Sequence, residues 1–147
     1  MTNITIKKAE TGDLSAVAAL AEKLFTPSDA LEVETELLLS DEGAAIFLAY
    51  AENMPVGFAQ VQLRRDYVEG TATSPVGYLE GVYVESAHRL KGIAKRLVET
   101  SEAWAKEKGC LEFASDCELA NSDSILFHKA IGFSEANRIV CFVKGLV

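Results

Sequence analysis

Residues 78–108 read YLEGVYVESAHRLKGIAKRLVETSEAWAKEK, and this stretch decides the fold. Tyr78-Leu79-Glu80-Gly81-Val82-Tyr83-Val84 is short, β-rich and largely apolar, the composition of a buried strand. His88-Arg89-Leu90-Lys91-Gly92-Ile93-Ala94 is a basic turn. From Gly92 the apolar period becomes helical: Ile93, Leu97 and Trp104 share one face, with Ala94, Val98 and Ala105 beside them. The first amides of such a helix have no acceptor within it, and the helix dipole places partial positive charge at the same end. Gly92 and Ala94 keep side chains away from the backbone, while Arg89, Lys91, Lys95 and Arg96 add charge. In a chain of net charge −8 this basic cluster needs a reason, and a pyrophosphate fits it.

Outward from that centre, the chain reads as a single domain spanning residues 1–147, long enough to bury a sizeable core. With 49% hydrophobic and 24% charged residues it falls in the ordinary globular class. No apolar run is long enough to span a bilayer, and the polar start Met1-Thr2-Asn3 is not a signal peptide, so the expected location is the cytoplasm. The 3 cysteines, Cys110, Cys117 and Cys141, are widely spaced and form no CxxC pair, which argues against a metal site and suits reduced thiols. A sequence pI near 4.8 argues against nucleic acid or an anionic membrane as partner and is compatible with a small cationic substrate.

In chain order, Ile4 to Lys7 reads as a first strand, and Thr11 is positioned to cap a helix carrying Leu14, Val17, Leu20, Ala21 and Leu24, with Phe25 at its end. Thr26-Pro27-Ser28 breaks it. Asp29 and Glu32 have capping-box spacing and open a second helix. Ala45–Ala51 and Val56–Arg64 form an antiparallel hairpin about Glu52-Asn53-Met54-Pro55, and a polar loop, 66–77, leads into the central strand. Gly109 ends the central helix. Leu111 to Ser115 is the next strand, parallel to the central one because a helical crossover joins them. Asn121 or Ser122 caps a last helix ending before Gly132, and Phe133 opens a final pair of extended segments with Arg138 to Lys144 strongly β-rich. The result is an α/β (or α+β) domain with a mixed sheet.

Arg89-Leu90-Lys91-Gly92-Ile93-Ala94 resembles the R/Q-x-x-G-x-G/A signature of the GNAT superfamily of acetyl-CoA-dependent N-acetyltransferases. Asn121 followed by Leu126-Phe127-His128-Lys129-Ala130-Ile131-Gly132-Phe133 resembles that superfamily's N-x-x-A-x-x-L-Y-x-x-x-G-F element. The blocks Asp66 to Thr71, Thr73 to Gly81, Glu102 to Ala105 and Glu112 to Asp116 are similar to the centre of the aminoglycoside 6′-N-acetyltransferases. The resemblance implies a GNAT fold: a central, mostly antiparallel mixed sheet flanked by helices, whose parallel strand pair splays around acetyl-CoA. It further implies that the amides of Arg89 to Lys95 hold the CoA pyrophosphate and that the pantetheine arm lies along Val82-Tyr83-Val84. Asn121 aligns with an asparagine that contacts that arm, and as a helix cap it serves either role or both. Homodimerisation follows by analogy with related enzymes, with Arg138 to Lys144 as a candidate pairing edge.

Acyl transfer from a thioester to an amine requires a neutral amine, an oxyanion stabiliser and a proton for the departing thiolate. Gly81 is unusual inside a strand and points to a bulge or a simple kink. The neighbouring Val82 amide is the candidate oxyanion donor. Glu80 is the candidate base; strict alternation places it on the face of Val82, opposite Gly81 and Tyr83, and the alternative is a structural carboxylate at the strand end. Asp116 ends the parallel strand, where ligands of such sheets gather, and either grips an ammonium or caps the following turn. The subfamily resemblance implies Tyr67 and Asp116, with Glu80, as substrate contacts. His128 stands where many relatives carry a tyrosine acid; it is a candidate proton donor, a packed helix residue or a CoA contact. Phe25 and Cys141 stand where some relatives have tryptophan and tyrosine, which reduces aromatic area near the substrate cleft or a subunit interface. The leading expectation is acetylation of an aminoglycoside 6′-amine. The alternatives are another small amine, a polyamine or a protein N-terminus, and a non-catalytic acyl-CoA-binding module.

Overall fold

The computed structural model describes residues 3–147. Its elements run β1 (Ile4–Lys8), α1 (Leu14–Ala21), α2 (Asp29–Leu39), β2 (Ala44–Ala51), β3 (Met54–Arg64), β4 (Val76–Val84), α3 (Ile93–Glu107), β5 (Phe113–Ser115) and α4 (Ser122–Ala130), with short 3-10 turns at Thr11–Asp13 and Ser86–His88. The sheet order is β1-β2-β3-β4-β5. Neighbours are antiparallel as far as β4, and β4 pairs parallel with β5 across the α3 crossover. This is the mixed, mostly antiparallel sheet that the sequence implied.

Burial explains the patterning. β2, AAIFLAYA, is nearly continuous apolar because both its faces are covered. On one face Ile93, Leu97, Val98, Trp104 and Ala105 of α3 pack on Phe47, Val61, Leu79 and Val84. On the other, Val17, Leu20 and Ala21 of α1 pack on Ile46, Leu48 and Phe58, with Phe25, Leu31, Leu38 and Tyr83 around them. Among the described residues no helix is long and apolar enough to cross a membrane.

Several boundaries differ from the sequence reading. Thr11 is not the cap of α1; the Asp13 carboxylate instead accepts the Glu10 amide at 2.9 Å. The helix stops at Ala21, and Leu24 and Phe25 sit in a following turn whose amides return to the Ala21 carbonyl. Ser28 takes the N-cap position of α2, so Asp29 is already inside the helix. The larger correction is at the C-terminal end. Residues 133–147 form no strand, because no neighbouring chain segment offers them a ladder. Among the described residues, side-chain hydrogen bonds from this stretch are made by Asn137, whose amide donates to Glu69 at 2.7 Å, and by Arg138, which pairs with Glu135.

The loop before β4 is fixed from β5's approach. The Glu112 carboxylate accepts the Ala72 and Thr73 amides, both at 2.8 Å, and the Thr73 hydroxyl at 2.5 Å. The Thr73 hydroxyl and then the Ala72 amide hold its carboxyl below the usual glutamate range. Val68 is buried beneath, against Val76 and Tyr78.

Candidate active site

The site begins with a break in the sheet register. β3 pairs with β4 through Gln60↔Gly81 and Val61↔Leu79, leaving Glu80 as the extra residue. This is a β-bulge, one residue before the glycine that signalled it in the sequence. A bulge resets side-chain alternation. Leu79 and Val84 both pack on the α3 side, with Val82 against the same cluster. Tyr83 packs on the α1 side. A Cβ on Gly81 would lie 2.7 Å from Leu24 Cδ2 and 2.9 Å from Phe25 Cζ, so Gly81 also faces α1. Glu80 therefore does not share a face with Val82, as strict alternation predicts; it joins Tyr78 and Gly81. The glycine leaves space for the Phe25 ring, which also meets Phe58 at 6.3 Å between centroids.

Glu80 is gripped in this position. Arg64, the last residue of β3, donates from Nη2 to both carboxylate oxygens at 2.8 and 3.0 Å and from Nε at 3.1 Å. The guanidinium carbon lies 3.5 Å from the centroid of the Tyr78 ring. The Tyr78 hydroxyl in turn donates to Asp116. Burial, then the bond to Asp116, push the Tyr78 phenol far above its ordinary pKa, so it remains a donor. Two carboxylates, one guanidinium and one phenol thus form a chain along one face, with Phe25 above Gly81. Tyr67 stands 76% exposed on the preceding loop and, among the described residues, makes no side-chain hydrogen bond to this chain.

A slot opens beside it. β5 accompanies β4 only from Gly77 to Leu79, so the backbone of Val82-Tyr83-Val84 has no strand neighbour on that side. Beyond β4, Leu90 and Gly92 adopt left-handed φ of 61° and 78°. Among the described residues the consecutive amides from Leu90 to Lys95, including those of Lys91, Ile93 and Ala94, make no backbone hydrogen bond. A run of free amides at a helix start is an anion cradle. The side chains contribute less charge than their number suggests. Arg89 turns back to donate from Nε to the Val84 carbonyl at 2.8 Å, and Arg96 reaches the Ile4 carbonyl at 3.2 Å. Lys95 lies 3.9 Å from Glu99 on an exposed helix face, a weak pair.

At the start of α4, Asn121 caps the helix by accepting the Ser124 amide at 3.1 Å, which leaves its own NH₂ without a partner among the described residues. His128 Nδ1 lies 2.7 Å from the Ser124 carbonyl, so that nitrogen carries hydrogen, and Nε2 lies 2.8 Å from Ser115 Oγ. Ser115 also bonds the Leu79 carbonyl at 3.2 Å. With Phe133 at 5.1 Å between ring centroids, His128 ties α4 to the end of β5. Burial pushes the Cys110 thiol above its ordinary pKa, which leaves it unsuited to nucleophilic work.

Sequence reading assigned nothing to Arg64, Tyr78 or Ser115. Ser115 was legible only as the residue before Asp116. Arg64 is 16 positions from Glu80, and no local spacing rule links the ends of two strands whose register depends on a bulge.

Comparison with known proteins agrees with this geometry. Residues 14–133 match the acetyltransferase (GNAT) family. An aminoglycoside N(6′)-acetyltransferase type 1 from Acinetobacter haemolyticus is 40% identical over 97% of this chain and 99% of its own length. A solved structure of AAC(6′)-Iy in complex with the bisubstrate analogue CoA-S-monomethyl-acetylneamine superposes with a TM-score of 0.94 at 34% identity, over 98% of this chain and 99% of that one. A ribosomal-protein-alanine N-acetyltransferase from Brucella melitensis shares the fold at a TM-score of 0.74 and 21% identity, over 97% and 100% of the two chains. On this match over most of its length, the chain belongs to the GNAT acetyltransferase family.

Proposed function

We propose that this protein transfers the acetyl group of acetyl-CoA to the 6′-amine of an aminoglycoside, the reaction that gives the related resistance enzymes their name. The single observation that carries the reading is the adjacency of two half-sites: a free-amide turn with an unpaired strand flank, and the pair of carboxylates formed by Glu80 at the bulge of that same strand and Asp116 just past β5, joined to it through Tyr78. One half suits a pyrophosphate and a pantetheine amide, the other a polycationic amine.

In this mechanism the Arg89–Lys95 amides bind the pyrophosphate, Val82 to Val84 pair with the pantetheine arm, and Asn121 donates to it. Phe25, Tyr67 and Asp116 hold the amino sugar. Glu80 accepts the amine proton through water. The Val82 amide stabilises the oxyanion formed as the amine attacks the thioester. The proton taken up by the CoA thiolate comes from the imidazolium form of His128, whose Nε2–H passes to Ser115 Oγ as that hydroxyl releases its own proton, or from water.

The test is thiol release from acetyl-CoA with a panel of aminoglycosides that carry or lack a 6′-amine. Turnover confined to compounds with that amine is the expected result. Measurable CoA binding with no turnover across the panel would remove the antibiotic reading and leave the family intact.

The same reading includes a homodimer and a cytoplasmic location. Ile139, Val140, Phe142 and Val143 are between 67% and 99% exposed in an extended run with no ladder of its own. Apolar segments of that kind are covered in solution. A second copy with the same run satisfies both by exchange, as closed two-fold pairs do. Light scattering should give the mass of a dimer for the full chain and of a monomer for a chain ending at Asn137. A monomeric full chain would overturn the dimer.

A further inference from the structure

We propose that Arg64 is a positioning residue of the acetyl-transfer reaction, acting through Glu80. This rests on the assignment of Glu80 as the proton acceptor. A bulge residue has no cross-strand partner to fix its direction, and Glu80 is left without one. What fixes it instead is the fork of Arg64, bonded to both carboxylate oxygens. A bidentate guanidinium sets the plane as well as the place of a carboxylate. Oε2 accepts from both Nε and Nη2, whereas Oε1 accepts only from Nη2 and keeps a lone pair open to water or an ammonium.

Arg64 is itself held. It is the last residue of β3, opposite Val76, and its guanidinium lies on the buried ring of Tyr78. That ring is pinned at its far end by the hydroxyl bond to Asp116. The stack therefore links the carboxylate assigned to the amine proton with the carboxylate assigned to the sugar's ammonium groups. Arg64 also balances one of these two negative charges.

The role is separable from a merely structural one by a double-mutant cycle. Arg64→Met keeps the stem and removes the fork; Glu80→Gln removes the acceptor. Arg64→Met alone should lower kcat roughly 10²-fold, the scale of a misplaced catalytic group, with CoA binding measured by calorimetry unchanged. In the Glu80→Gln background the same substitution should cost less than about 3-fold, because residues that act as a unit are not additive. Arg64→Lys keeps the charge without the fork and should lie nearer to Met than to wild type; it is also the reading to take if Arg64→Met does not fold. Equal losses in both backgrounds, or wild-type kcat in Arg64→Met, would overturn the proposal. Wild-type turnover in Glu80→Gln alone would instead overturn the assignment of Glu80, so the two failures are distinguishable.

Discussion

Glu80→Gln should lower kcat by about 10²–10⁴-fold, the range that general acid–base catalysis supplies, while leaving CoA binding close to wild type. The amide is nearly isosteric and keeps one carbonyl acceptor for Arg64, so the bulge and the stacked guanidinium persist. What it loses is the negative charge and the ability to take a proton. The side chain of Arg64 is 43% exposed, so water replaces the lost charge partner and the fold survives. CoA binding survives because the cradle lies past the end of β4, on the amides of residues 90–95. Steady-state kinetics of thiol release, paired with CoA titration calorimetry, check both halves. Equal turnover would sink the base assignment. A loss of CoA binding in step with turnover would mark Glu80 as structural.

Gly92→Val should weaken CoA binding by at least about tenfold, equivalent to roughly 1.4 kcal/mol, and lower fold stability by about 1–2 kcal/mol. The residue sits at φ 78°, where a β-branched side chain is a strained outlier. No atom lies within 4 Å of a Cβ built there, so the cost to the protein alone is conformational rather than steric. That empty space is next to the free amides, and a valine placed in it stands where a phosphate must approach. The two effects are measured separately, by CoA titration and by denaturant unfolding. Stability lost with CoA affinity unchanged would place the pyrophosphate elsewhere.

The two predictions divide the site between its two halves, and the fold explains why they adjoin. β4 belongs to two ladders along its first part and to one along its last. A sheet that closes on both sides of β4 throughout would leave no backbone for a ligand to pair with. A sheet without the bulge would turn the residue-80 side chain through ordinary alternation, with no reset at Gly81. The same strand thus carries both the open flank and the carboxylate that the proposed mechanism assigns to the two substrates.

Much of this was determined by the sequence alone. The strand, turn and helix of residues 78–108 follow from apolar period and from Gly92, which are local properties of the chain. The acidic balance is compatible with a cationic substrate and the basic turn fits a pyrophosphate, and Gly81 marked the sheet irregularity to within one residue. The tertiary structure decided the rest, for reasons that are not local. Bulge register puts Glu80 and Val82 on opposite faces, and register is a relation between two strands. The Arg64 fork closes between residues far apart in the chain, and it stacks on a ring whose place depends on β5. Arg89 and Arg96 spend their charge on carbonyls of β4 and β1, which their spacing does not reveal. The β-rich run at 138–144 forms no strand, because a strand's hydrogen bonds, unlike a helix's, lie outside its own segment.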